Sequence, residues 1–223
     1  MRILSTISKF LRRSPSRGFE RLSYSQYAED LIARELLKGV NNGTYVDVGA
    51  FHPFMYSNTY RFYLEGWSGI VIEPNPEQAE AFQRHRPRDK FINCGVGEER
   101  QELEYSYYSE GVFNGFHSSE QREQISSTKS TFEKSEAIPI KPLKDLLDLN
   151  AEIKLLSVDA EGHDLSVLKS FDWSAAEHPK VVITEVESRS ILALSTNQTH
   201  LFLVDLGYEL ASFCIKSGIY VKQ

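Results

Sequence analysis

Thr44-Tyr45-Val46-Asp47-Val48-Gly49-Ala50 is the stretch on which the fold turns. β-Branched and aromatic residues run into an acid and then a glycine, so a strand ends in a turn where backbone can approach a ligand. Upstream, Ala28 to Leu37 reads as a helix with Leu31, Ile32, Leu36 and Leu37 on one side, stopped by Asn41-Asn42-Gly43. Downstream the spacing predicts a short helix from Asn58 to Leu64, a strand Ile70 to Glu73, a helix Glu77 to Arg86 and a strand Phe91 to Cys94.

Residues 107–135 break this rhythm. They are rich in serine, glutamate and glutamine with no sustained apolar period, which predicts a loop insertion. The alternation then resumes with strand Ala137 to Lys141, helix Pro142 to Leu149, strand Lys154 to Asp159 and helix Asp164 to Phe171. Strand Val181 to Val186, helix Thr196 to Leu206 and strands Tyr208 to Phe213 and Gly218 to Lys222 follow. Strands separated by helices imply right-handed crossovers and a mainly parallel sheet covered on both faces. The last two strands are joined by so few residues that they must form an antiparallel hairpin. The expected fold is α/β and Rossmann-like, with residues 23–223 as one domain.

Six basic residues against Glu20 alone give residues 1–22 a net charge of +5, while the 223-residue chain carries −6. Ile3, Leu4, Ile7, Phe10 and Leu11 recur at helical spacing there, so this is read as a basic N-terminal arm or helix. Membrane contact by that arm is a secondary reading. The acidic remainder argues against nucleic acid as partner. Two cysteines, too few for a disulfide scaffold, point to a reducing, cytoplasmic location. Oligomeric state is not legible.

In an open α/β sheet, ligands bind beyond the carboxyl ends of the strands. The residues at those ends are Asp47 with Gly49, Glu73, Asn93, Asp159 with Glu161, and Glu185. Glu73, a strand after Asp47, has the position of an acid that accepts hydrogen bonds from ribose hydroxyls. Phe51-His52-Pro53 follows Gly49-Ala50, so the glycine loop that cradles a pyrophosphate is missing. An adenosine ligand without a pyrophosphate fits: S-adenosylmethionine rather than NAD, FAD or ATP.

Ser25-Gln26-Tyr27-Ala28-Glu29-Asp30-Leu31, Val46 to Ala50, Ser57-Asn58-Thr59-Tyr60 and Gly66 to Pro74 resemble the FkbM family of methyltransferases. Ser157-Val158-Asp159-Ala160-Glu161-Gly162-His163-Asp164-Leu165 is similar to that family's second signature. The resemblance spans roughly residues 24–223, although Phe51 stands where the family often has asparagine. It implies a class I methyltransferase fold with seven strands, S-adenosylmethionine as donor, and transfer to oxygen on a sugar, glycan or secondary metabolite.

The expected cofactor residues are therefore Gln26, Asp47, Gly49, Asn58, Glu73, Asn93 and Asp159. Asp159 and Glu161 are the leading catalytic pair, with His163 and His52 as further candidate bases, since neutral imidazole is available near neutral pH. Asp159 and Glu185, with Glu161 or Glu187, could hold Mg²⁺ through oxygen ligands, but nothing in the spacing requires a metal and none is expected. The competing class is a methyltransferase-like binding or scaffold subunit, which need not keep the acids after the fourth main strand.

Overall fold

In β1 (Thr44–Val48), Val46 and Val48 pack into one apolar core and Tyr45 into another, so both faces of the strand are covered. The same alternation holds in β7 (Ile153–Val158), where Leu156 and Val158 join the first core and Leu155 the second. A strand buried on both faces belongs in the middle of a parallel sheet. The computed structural model, which describes residues 21–148, 152–174, 178–186, 188 and 190–223, places β1 and β7 side by side at the sheet's centre.

From β1 the sheet runs outward through β2 (Ser68–Ile72) to β3 (Lys90–Ile92). From β7 it runs through β8 (Val181–Glu185) and β10 (Ser217–Lys222) to β9 (Tyr208–Cys214). Seven strands in the order β3-β2-β1-β7-β8-β10-β9, with β10 antiparallel to both neighbours, make the Rossmann-like class I arrangement. Chain order reverses between β1 and β7, where such a sheet opens a ligand crevice. Around it lie α1 (Glu29–Leu36), α2 (Tyr60–Leu64), α3 (Ala79–His85), α5 (Asp164–Lys169) and α6 (Gln198–Asp205).

The stretch expected to be a loop is largely regular. β4 (Gly95–Val96), β5 (Gln101–Tyr108) and β6 (Phe132–Lys141) form a second sheet in the order β4-β6-β5, and α4 (Ser119–Thr128) links β5 to β6. Tyr105, Tyr107 and Ile138 supply its small core, so the alternation around the tyrosines is a real strand signal. α4 buries only Ile125 and is started by a reciprocal cap between Ser118 and Gln121, which explains why no apolar period announces it. Ala137 to Lys141 consequently belongs to this insertion and not to the main sheet. The helix expected over Pro142 to Leu149 shortens to a single turn, Leu143–Asp145, and Leu149 lies outside the described residues.

Of the basic arm, only Arg21 and Leu22 are described. Among the described residues no helix is long and apolar enough to cross a membrane.

A buried cation ties the β1 side together. Arg86, 1% exposed, donates from Nε to Asp89 (2.6 Å) and from Nη2 to the Thr59 hydroxyl (2.8 Å). Asp89 also accepts from the Tyr45 hydroxyl (2.7 Å) and the Gly69 N–H (2.9 Å), which completes its hydrogen bonding away from water. Removing the cation leaves a buried acid uncompensated. Arg86→Met should lower the unfolding free energy by about 3–5 kcal/mol, against less than about 1 kcal/mol for Arg84→Met, which breaks only an exposed pair with Glu80. Equal losses in a denaturant titration would contradict this account.

Candidate active site

Gly49 follows β1 with φ +74°, and a β-carbon there would stand 1.8 Å from the carbonyl oxygen of Asp159. Only glycine lets the ends of β1 and β7 come this close. A cleft opens beyond them, lined by Gly49 and Phe51 after β1, Glu73 after β2, Cys94 and Gly95 after β3, and Asp159, Glu161 and His163 after β7. Gln26 reaches the same cleft because its segment is pinned: the Asp30 carboxylate accepts from Ser23 Oγ (2.6 Å), Ser25 Oγ (3.0 Å), the Tyr24 N–H (3.1 Å) and Arg61 Nε (3.1 Å).

Glu73 is 4% exposed, and each of its oxygens accepts one backbone hydrogen bond: Oε2 from Phe51 N (2.8 Å) and Oε1 from Asn75 N (2.8 Å). Phe51 takes a left-handed backbone, φ +51°, and its N–H meets the carboxylate. Burial pushes the Glu73 carboxyl up to about 7, against the pull of those two N–H groups. Asp159 is raised well above the ordinary carboxylate range, first by burial and then by the neighbouring charges of Glu161, Asp164, Glu185 and Asp47. Glu161 is raised by burial and by Glu185, and is drawn back by Lys216 and Lys129. Glu161 and Gly162 both lie at positive φ (+48° and +91°), so a tight left-handed turn presents this carboxylate. Asp164 closes the turn by accepting from the N–H groups of Ala160 and Gly162 (both 3.3 Å).

Four of the expected residues are not among those lining the cleft. Asp47 lies within β1 opposite Ser157, on the face away from Val46 and Val48. It accepts from Thr59 Oγ1 (2.5 Å), and burial raises its carboxyl while the Arg86 charge opposes that rise. Asn58 donates to Ser157 Oγ (3.2 Å) on the same face. Asn93 donates from Nδ2 to the carbonyls of Glu73 (2.9 Å) and Pro74 (2.7 Å) and so fixes the backbone that carries Glu73. His52 caps its own turn: Nδ1 accepts from Phe54 N (3.3 Å) and Met55 N (3.1 Å), and burial, then His85, lowers its pKa. His163 lines the cleft, with Nε2 3.3 Å from the carbonyl oxygen of Phe116.

A long insertion of this kind often shapes a binding site, but no residue of it is among those expected at the site. Tyr105, Asn114 and Phe116 line the cleft, and Phe116 packs against Gly95, where a β-carbon would meet its ring at 2.8 Å. The available signal was the tyrosine alternation in Glu104-Tyr105-Ser106-Tyr107. Among the described residues no cluster of three His, Cys, Asp or Glu side chains is arranged to hold a metal ion, and Glu187 lies outside them.

Sheet order and cleft define a class I methyltransferase scaffold. The sequence profile of the methyltransferase FkbM domain matches residues 47–210, and the chain belongs to the FkbM methyltransferase family. An FkbM methyltransferase from Methylobacillus flagellatus is 17% identical with a TM-score of 0.49; the match covers 92% of this chain and 45% of that protein's length. A TehB-like SAM-dependent methyltransferase from Corynebacterium glutamicum is 9% identical (TM-score 0.43), with 100% of both chains covered. An O-methyltransferase from Bacillus cereus in complex with SAH is 12% identical (TM-score 0.35), with 98% of this chain and 91% of that one covered. No curated protein matches the chain in sequence.

The raised Glu73 carboxyl makes stability depend on pH. The folded chain holds this proton up to about 7, whereas the unfolded chain releases it near 4.5. Between those values stability therefore falls as pH rises, and it levels off above 7. Glu73→Gln should remove about 3 kcal/mol of that fall, read from denaturant unfolding at about pH 5 and about pH 7.5. The same fall in parent and variant would count against the assignment.

Proposed function

We propose that this chain transfers a methyl group from S-adenosylmethionine to a hydroxyl of a sugar, glycan or other small-molecule acceptor. The observation that carries the reading is one cleft, at the reversal of strand order, holding both the buried Glu73 carboxylate and the Asp159–Glu161 pair. The residues present suit this cofactor. Glu73 offers a carboxylate to two neighbouring ribose hydroxyls, and Ile72, Cys94 and Val96 offer an apolar wall to adenine. Asp159 offers negative charge to the cationic methionine end.

When bound, the cofactor supplies a methyl already activated by sulfonium charge. The chain's own tasks are alignment of the acceptor oxygen behind that methyl and removal of one proton as the bond forms. Asp159 and Glu161 are the groups placed for the proton. Their affinity for it is raised, which suits a base, and positive charge bound in the cleft favours their ionised forms. His163 stands at the same wall and is the reserve. His52, turned to its own loop, is the weaker candidate.

Glu73→Ala removes the carboxylate offered to the ribose, and calorimetry should register a loss of about 2–4 kcal/mol in cofactor binding. Asp159→Asn should cut turnover by about 10²–10⁴-fold, by far more than it weakens cofactor binding. Transfer of labelled methyl to fractions of cell extract reads the second effect. Unchanged turnover in both Asp159→Asn and Glu161→Gln would remove the carboxylate base from the mechanism.

A further inference from the structure

The cofactor accounts for only part of the cleft. We propose that Phe51, Tyr56 and Val112 form its acceptor wall and select an acceptor with an uncharged apolar group, an alkyl chain or an aromatic ring, beside the hydroxyl that is methylated. This rests on the reading of the cleft as a methyltransferase site and names the substrate class within it.

All three residues line the cleft. Phe51 and Tyr56 come from the loop after β1, and their rings lie near parallel, 21° apart with centroids at 6.4 Å. Val112 comes from the insertion, in a single turn, Gly111–Phe113. The two sides come close: a β-carbon on Gly111 would stand 3.9 Å from the Phe51 ring. Hydrogen bonds fix the turn that carries Val112. Tyr108 N donates to Asn114 Oδ1 (2.8 Å), and Ser106 and Gly115 exchange both N–H···O bonds (2.8 and 3.1 Å).

This wall is apolar where it meets solvent. Tyr56 is 52% exposed and Val112 44%, while Met55 and Phe54, which precede Tyr56 in the loop, are 43% and 39% exposed. Single exposed apolar residues are ordinary, whereas a group of them at the mouth of a cleft marks a surface that a ligand covers. No acid, lysine or arginine occurs from Ala50 to Tyr60 or from Gly111 to His117. His52, whose pKa is lowered by burial and by His85, adds no charge near neutral pH. Phe51 and Tyr56 also hold left-handed backbones, φ +51° and +58°, which are costly for bulky side chains and persist where their placement matters. Such a rim cannot satisfy the ammonium and carboxylate of the cofactor's methionine end, which need polar partners. An apolar group on the acceptor gains by covering it.

The test is transfer of labelled methyl from S-adenosylmethionine to cell extract divided between water and an immiscible organic solvent, on the parent, Tyr56→Ser, Val112→Ser and Leu64→Ser. Label should enter organic-soluble material. Tyr56→Ser and Val112→Ser should each need roughly tenfold more of that material for half-maximal transfer, with S-adenosylhomocysteine affinity by calorimetry at the parent's value. Leu64→Ser, which removes an equally exposed apolar side chain away from the cleft, should match the parent in both. Inhibition by octyl glucoside below its micelle concentration or by phenyl glucoside, each set against glucose, tells a chain from a ring. Label confined to water-soluble material overturns the assignment. So does the parent's acceptor dependence in both cleft variants, whether or not they alter self-association or binding to neutral lipid vesicles. Weakened S-adenosylhomocysteine binding in those variants gives the wall to the cofactor and overturns it as well. A parent that binds S-adenosylhomocysteine but labels neither phase overturns the transfer reading on which this one stands.

Discussion

The carbonyl oxygen of Asp159 sits where a side chain at residue 49 would begin. Because Gly49 has none, β1 and β7 can end in close apposition, with the Asp159 N–H donating to the Val48 carbonyl (3.0 Å) and the Gly49 N–H to the Ile72 carbonyl (2.9 Å). Three strand ends are thereby joined at the reversal of strand order. The ring of acids around the cleft follows from that closure, since each acid is the residue on which a strand emerges from the core. Crowding them around one cleft raises their proton affinities, and this mutual repulsion is the feature a cationic ligand would relieve.

Two further layers hold this geometry in place. Behind the cleft, the Arg86–Thr59–Asp47 chain ties α3, the start of α2 and β1 into one buried polar unit, and Arg86 also donates to the Pro53 carbonyl in the loop after β1 (3.3 Å). In front, the insertion folds its own small core and presents Tyr105 and Phe116 to the cleft. Asp47 and Glu73, each ending or nearly ending a strand, consequently do different work. The first braces the sheet from behind and the second faces the cleft.

Much of this was legible in the sequence. The central strands announced themselves by apolar runs ending in Gly49, Glu73 and Asp159, and the short link before Ser217 required the antiparallel partner. What was not legible turns on direction. Asp47 stands at the right depth in the chain but meets Thr59 instead of the cleft, because a strand reverses its side-chain direction at every residue, while Asn58 turns to Ser157 and Asn93 to backbone carbonyls. The insertion was obscured because α4 is stabilised by its cap and not by an apolar stripe, and because much of β6, from Phe132 to Ala137, is exposed and polar. Tyr105 could not be assigned to the site until its strand was placed at the cleft.

The central claim is that Glu73 binds the cofactor ribose while Asp159 faces its reactive end. A crystal structure of the chain with S-adenosylhomocysteine tests it most directly. The account predicts both ribose hydroxyls on the Glu73 carboxylate, adenine against Cys94 and Val96, and the homocysteine portion directed toward Asp159. An adenosine moiety bound elsewhere, or a Glu73 carboxylate that keeps its present partners and touches no ligand, would contradict it.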